Sequence, residues 1–410
     1  CESLRATTVF CLGLDRPNVL LSEQHLAAFR AGQRPKQEAS TRGLRGAYLI
    51  SASINLAAYS SRQWQLVANT EQTQSQAVAT QLALANPAAL SEAIELSIES
   101  GSDALNRIMG AADGLQHTQD ENLAAHHYAN VLFNVMRGGI FDDQYCVNGP
   151  ALRSHFIHFN RPLAKRFASL IEALPECLSH KAFMAVINDS GDPQLLRLAL
   201  EYLPLTFGRR HGDPSRPWNQ FTIKLKDDSG HPILAYEGNW RDIFQNWEAL
   251  LFSYPEFIES VIAKFVNAST IDGYNPYRIT EAGIDWEVED ADDPWSYIGY
   301  WGDHQIIYLL KLLELSQQFH PQALPQLLTS AVFAYANVPY KLNSFEAMLD
   351  NAKNTVTYDA DQAAGIEERV ADTGADGKLL LDKNGQVYLV TLLEKLLVPL
   401  LSKLGNLVVD

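Results

Sequence analysis

From about Thr73 to the end of the chain, apolar side chains recur three and four positions apart. That is the period of a helix packed along one side. The pattern predicts helices over 74–84, 87–99, 122–136, 163–174, 181–187, 193–202, 303–317, 325–336, 345–353, 360–370 and 387–404. Another opens at Ser253-Tyr254-Pro255-Glu256, with Ser as candidate N-cap and Pro in the first turn. Phe257, Val261, Ile262 and Phe265 then share one face. The helices come in pairs, without a fixed-period repeat, which counts against a plain repeat array. Helices of this kind must bury their stripes on one another. The predicted fold class is therefore mainly α: an α/α toroid or a large helical domain.

The first 72 residues differ. Residues 47–56 and 62–68 read as two strands across a Ser60-Ser61 turn, with a short helix over 22–30 and a polar loop over 31–45. Two strands alone are marginal, so they are expected to complete a larger sheet. The expected division is 1–72, a strand-containing remnant with a linker, and 73–410, the helical domain.

Charge narrows the function. Acidic residues number 48 and basic residues 32 among 410, a formal charge of −16. A broad nucleic-acid footprint needs the opposite sign, and an anionic membrane surface would repel this chain. No apolar run approaches the ~20 residues of a membrane span. Cys1, Cys11, Cys146 and Cys177 form no CxxC pair and are expected to be four ordinary thiols. The chain opens at Cys1 with no secretory signal pattern, so a cytoplasmic location is expected. It stops at Asp410 directly after a helical pattern, which suggests a piece of a longer polypeptide.

Six of the seven Trp lie between Trp218 and Trp301, together with Tyr236, Tyr254, Tyr274, Tyr277, Tyr297 and Tyr300. Arg209, Arg210, Arg216, Arg241, Asp242, Gln245, Asn246, Asp272, Asn275, Arg278, Asp292 and Asp293 are interleaved with them. A pyranose has an apolar C–H face that lies on an aromatic ring and a rim of hydroxyls that take carboxylate, amide and guanidinium partners. This composition offers both. The alternative is that the Trp side chains fill the core and the charges are solvated.

The most specific string is Tyr236-Glu237-Gly238-Asn239-Trp240-Arg241-Asp242-Ile243-Phe244-Gln245-Asn246-Trp247. It resembles the (α/α)6 six-hairpin glycosidase-like proteins, nearest to the cellobiose phosphorylase type. Those carry an aromatic-Arg-Asp-x-x-Gln-Asp/Asn string after a β-sandwich and a helical linker. Asp272-Gly273-Tyr274-Asn275-Pro276-Tyr277-Arg278 resembles the family's Gly…His-x-Tyr segment, and Asp292-Asp293-Pro294-Trp295-Ser296 its Asp-Asp-Pro-Leu-Trp string. The likeness covers Asp213 to Leu313 and, elsewhere, only the pattern of helices. It implies an (α/α)6 toroid and glycosidic cleavage by inversion of an oligosaccharide or glycoside, with water or inorganic phosphate as the attacking group. No other cofactor and no metal are implied.

On the same likeness, Arg241 and Asp242 grip sugar hydroxyls, Gln245 and Asn246 support them one turn on, and Trp240 and Trp295 form aromatic walls. Tyr277, Arg278, Arg216 and, less directly, Arg137 complete the substrate-binding set. Tyr277 lacks the His that often precedes it in the family, which puts phosphate or hydroxyl contacts there in doubt. The family's general acid is an Asp in a downstream Trp-Asn-Asp string. These 410 residues hold no such string. Either the acid lies past Asp410, or this is a non-catalytic relative that binds glycans; an α-helical scaffold for protein partners is the third reading. Asp242, Asp292 and Asp293 are the best stand-in acids.

Three further features are read structurally. His126-His127 lacks a zincin-spaced Glu and is expected on a helix face. Asp285–Asp293 lacks the spacing and Gly of a calcium loop and is read as a solvated or substrate-facing loop; Asp372–Lys378 has no Glu at the required offset and is read as a turn. Arg137-Gly138-Gly139 ends a helix.

Overall fold

A computed structural model describes residues 6–112, 114–115, 118–138, 140–141, 146–207, 234–273, 278–286, 288, 306–352 and 356–407. The fold is mainly α. The chain divides into two compact units, Cys1–Leu105 and Asn106–Asp410.

The first unit holds β1 (Ala6–Leu12), β2 (Asn18–Ser22), α1 (Leu26–Arg30), β3 (Gly46–Ser51), β4 (Gln65–Gln72), α2 (Gln74–Ala83) and most of α3 (Pro87–Ala111). The expected hairpin between 47–56 and 62–68 does not form. Instead β4 pairs antiparallel with β1 and β3 with β2, as two separate two-stranded sheets. Residues 52–64 are exposed and lie outside any strand, too long a connection for a tight hairpin. The upstream strands supply Phe10, Leu12 and Leu20, all buried. Thr73 caps α2 in a capping box with Gln76.

The second unit runs through α4 (Glu121–Gly138), β5 (Ile140–Phe141), β6 (Cys146–Asn148), α5 (Gly149–Phe159), α6 (Arg161–Arg166), α7 (Ala168–Glu172), β7 (Cys177–Ser179), α8 (His180–Asp189) and α9 (Pro193–Leu200). It continues with β8 (Leu205–Phe207), β9 (Glu237–Asn239), α10 (Trp240–Leu251) and α11 (Ile258–Asn267), the last entered through a 3₁₀ turn over Pro255–Phe257. Then follow β10 (Arg278–Thr280), β11 (Gly283–Asp285), α12 (Ile306–Phe319), α13 (Ala323–Thr329), β12 (Tyr340–Leu342), α14 (Phe345–Asp350), β13 (Val356–Tyr358), α15 (Ala360–Thr373) and α16 (Leu392–Leu407).

Most of the expected helices are present, with instructive departures. The segment 163–174 breaks into α6 and α7, and Phe167 between them leaves the helical region at ψ 22°. The segment 325–336 stops at Thr329 because Phe333 and Ala336 turn extended and bond to Val390 and Ser269. Helix α5 carries no strong amphipathic signal in sequence. It is fixed by the Asn148 cap, whose Oδ1 accepts from Ala151 N, with Pro150 in the first turn. The cap before Pro255 is Tyr254, without a side-chain bond, rather than Ser253.

Two cores organise this unit. One gathers Val147, Leu152, Phe156, Phe159, Leu163, Ile171, Phe183, Ile187, Leu195 and Leu198, all from residues 147–202 apart from Ala375. The other surrounds α11, which is buried on every side from Ile258 to Asn267, with Phe244, Trp247, Leu251, Leu312 and Phe333 against it. Each fully buried Val, Leu, Ile or Phe contributes about 1.5–3 kcal/mol.

Two cysteines are not free thiols, contrary to the sequence reading. Cys146 and Cys177 form a disulfide across β6 and β7, with Cα atoms 5.9 Å apart. Closing a loop of 31 residues restricts the unfolded chain by about 3–4 kcal/mol. CxxC spacing finds local dithiols; a bridge between strands leaves no such signature.

Candidate functional site

Two of the three strings that carried the sugar-binding reading meet, at Glu237–Asn239 and at Arg278, in a three-stranded sheet of order β11-β10-β9. Arg278 stands opposite Asn239, and Thr280 opposite Glu237. Glu281 N also donates to Tyr236 O at 2.9 Å. Helix α10 leaves this sheet at Trp240, so its first turn lies beside the strand that carries Arg278.

Helix α10 is amphipathic. Ile243, Phe244, Trp247, Leu250 and Leu251 are buried and form the core stripe. At 100° per residue, Arg241, Asp242 and Gln245 fall on the opposite side, with Asn246 on its flank. The side chains of Trp240, Arg241, Asp242, Gln245 and Asn246 lie outside the described residues, as does that of Arg137 at the end of α4. Helix α4 packs against α10, so Arg137 is carried by a neighbouring helix. Arg216, Tyr277, Asp292, Asp293 and Trp295 also lie outside the described residues.

Arg278 is the one named binding residue with a described side chain. Its Nη2 donates to Asp285 Oδ2 at 2.6 Å across the β10–β11 hairpin. Lys378 approaches the same carboxylate at 3.5 Å, donates to Ile284 O at 2.8 Å and stands over the Trp286 ring at 5.2 Å. Two cations thus share one carboxylate beside an aromatic face. Asp285 is committed to these partners and is not an open calcium ligand. Lys378 was not legible in the sequence; it arrives from 93 residues downstream.

The aromatic cluster resolves into two populations. Tyr236, Trp247 and Tyr254 are buried in the α11 core, as the plain core reading holds for them. Trp286 is half-buried against Lys378. The remaining Trp side chains of 218–301 lie outside the described residues.

Below the sheet lies a buried polar network that sequence reasoning missed. Arg197 of α9, fully buried, donates from Nη1 and Nη2 to the two carboxylate oxygens of Asp376, at 2.9 and 2.5 Å. Asn160 donates to Asp376 Oδ2 at 2.8 Å. Glu201 accepts from Arg197 at 3.1 Å and from Asn267 at 2.8 Å, and Asn267 Oδ1 accepts from Ala334 N at 2.9 Å. Asn267 belongs to a sequon, but its amide is consumed internally. Burial pushes the Asp376 carboxyl up while Arg197 pulls it back; burial opposes the Arg197 charge, and Asp376 and Glu201 more than restore it.

Lys264 of α11 stands 5.1 Å over Phe159 and 5.8 Å over Tyr236, and burial lowers its pKa. The network therefore ties α9, the α5–α6 junction, α11 and the 375–378 turn into one rigid floor. That turn depends on Gly374 at φ 109°, where a Cβ would collide with the carbonyl oxygens of His158 and Phe159.

Among the described residues no group of three or more His, Cys, Asp and Glu side chains is placed to hold a metal. His126 and His127 lie on α4, as expected. No helix among the described residues is long and apolar enough to cross a membrane.

One segment has a recognisable relative. Residues 141–204 match glycoside hydrolase family 149 insertion domain 1. The matched stretch coincides with the core built by residues 147–202 and contains the disulfide. It thus surrounds its own apolar centre, and Asn160, Arg197 and Glu201 are among the residues that bond it to the rest of the unit. The match relates this segment to an insertion domain found in glycoside hydrolases. No curated protein matches the chain.

Proposed function

We propose that this protein cleaves glycosidic bonds with inversion, by hydrolysis or phosphorolysis, using a sugar-binding face built on α10 and the β10–β11 hairpin. The observation that carries the reading is the insertion-domain match over residues 141–204, set beside the pairing of residues 237–239 with 278–280. In this reading Arg241 and Asp242 fix the sugar at the cleavage point, Gln245 and Asn246 support them, and Trp240 and Trp295 stack on it. Tyr277, Arg278, Arg216 and Arg137 contact the remaining hydroxyls. The helical pairs form an (α/α)6 toroid around this face.

Inversion needs one carboxyl to protonate the leaving oxygen while water or phosphate attacks the opposite side of the ring. Asp242, Asp292 and Asp293 are the acids to test. A carboxyl there serves as an acid near neutrality only if burial raises its pKa. A glycan-binding module without turnover is the second reading, favoured by the absence of a Trp-Asn-Asp string from these residues.

The test is turnover of a panel of oligosaccharides by the native protein, with and without inorganic phosphate, and the anomeric form of the first product by NMR. Asp242→Asn is expected to lower turnover at least ~100-fold, the size of effect that loss of a positioned acid produces. Phosphate dependence separates phosphorolysis from hydrolysis. A retained anomer contradicts the mechanism. Glycan binding with no turnover in any arm replaces the enzyme by the binding module.

A further inference from the structure

A cavity of ≈ 140 Å³ opens between the 270–272 turn, the strand-like stretch 335–342 and the first turn of α15. It equals about five water volumes at ~30 Å³ each, room for one six-membered ring. Its walls are held rigidly. Ser269 O accepts from Ala336 N at 3.0 Å and from the buried Lys395 ammonium at 3.0 Å. Asn337 N donates to Lys378 O at 2.9 Å.

The polar groups of the lining have fixed orientations. Gln362 Nε2 donates to Asn337 Oδ1 at 2.9 Å and to Val338 O at 3.1 Å. Both amide hydrogens of Gln362 are therefore used, and its Oε1 remains an acceptor. The Asn337 oxygen is used as well, and its NH2 remains a donor. The half-exposed Asp272 carboxylate has no hydrogen bond or ion pair among the described residues. Half-buried Tyr340 lines the same space, while the Tyr335 ring is buried with Lys395 Nζ 3.8 Å from its centroid.

We propose that this cavity is a second carbohydrate site, taking a single neutral hexose ring, with Asp272 and Gln362 accepting from its hydroxyls, Asn337 donating to them, and Tyr340 beside its C–H face. Fixed donors and acceptors beside an aromatic ring are what a polyol needs. An anion would meet the Asp272 charge with no cation on the lining to receive it. The proposal does not rest on the reading of α10.

The experiment titrates the native protein with D-glucose, D-galactose, D-mannose and N-acetyl-D-glucosamine at millimolar concentration, by calorimetry and by hydrogen exchange. At least one hexose is expected to bind saturably and to protect amides in 270–273 and 335–342. Asp272→Asn, at a half-exposed side chain without bonds to lose among the described residues, is expected to weaken that binding at least ~10-fold, and Asp242→Asn to leave it unchanged. The proposal is overturned if none of the four binds. It is also overturned if protection falls on 237–251 instead, or if Asp272→Asn and Asn337→Ala both bind as tightly as wild type. Because exchange is read on the unaltered protein, a variant that fails to fold does not remove the test. Failure of the glycosidase reading would show as absent turnover with hexose binding intact.

Discussion

Asp376→Ala is expected to lower stability by about 3–5 kcal/mol, because it strands a buried charge. Arg197 has no exposed surface, and Asp376 takes both ends of its guanidinium. Without that carboxylate Arg197 keeps only Glu201, whose oxygen also serves Asn267, and the Asn160 amide loses its acceptor. The cost is mostly the unpaired charge, not the value of the pair itself. The double replacement Arg197→Met/Asp376→Leu removes both charges and should recover much of the loss. Thermal melting checks this: a fall of roughly 5–8 °C for the single variant, and a smaller one for the pair. An unchanged melting temperature in Asp376→Ala would show that the carboxylate does not hold the floor of the site.

Acid is expected to destabilise the protein steeply between pH 6.5 and 4. His155 is buried among Phe156, Phe159 and Tyr202, with Nε2 on Leu198 O at 3.1 Å, and its pKa falls to about 3. Burial is the main cause, and the Lys264 and Arg197 charges add to it. His180, packed on Phe257 at 4.5 Å, falls to about 4 through burial and the nearby His320. Both rings are neutral in the fold, whereas the unfolded chain protonates them below about 6.5. The unfolded state therefore binds more protons in this window, and stability rises with pH. The contribution is complete above about pH 6.5 and is lost as pH falls toward the folded values. Each ring gives a slope of about 1.4 kcal/mol per pH unit, so the two together remove on the order of 5 kcal/mol by pH 4. That is comparable with the whole stability of many domains. Melting temperatures from pH 4 to 8 should show the slope, and His155→Gln should shallow it by about half. A flat profile would mean that both rings are protonated in the fold.

How much of this was legible in the sequence depends on the range of the interaction. The α11 stripe of Phe257, Val261, Ile262 and Phe265 is a local pattern, and all four are buried as read. Strands β3 and β4 were visible as extended runs, but their partners were not, because alternation names a face and not a neighbour. The Trp-rich composition could not separate Trp247, which fills the core, from a ring facing a ligand. Arg197 and Asp376 are 179 residues apart, and nothing local links them. One hint was available: Arg197 interrupts the apolar run Leu195-Leu196-Arg197-Leu198-Ala199-Leu200, and a charge in such a place needs a partner. Asp372–Lys378, read as a turn, is the end of α15 followed by a 3₁₀ helix over Ala375–Lys378, and its buried Asp376 was invisible without the fold. The 236–247 and 272–278 strings were found separately by resemblance. Only the register of β9 with β10 places Arg278, the last residue of the second string, opposite Asn239 of the first.

The central claim is a glycan-binding face on α10, shared by the enzyme and the binding-module readings and denied by the scaffold reading. Its most direct test is calorimetric titration of the native protein with a series of neutral oligosaccharides, repeated with Arg241→Ala. The account predicts saturable binding of at least one oligosaccharide, tighter than any free hexose and weakened by at least ~10-fold when the Arg241 guanidinium is removed. Absence of binding by every oligosaccharide, or binding that Arg241→Ala leaves untouched, would contradict it.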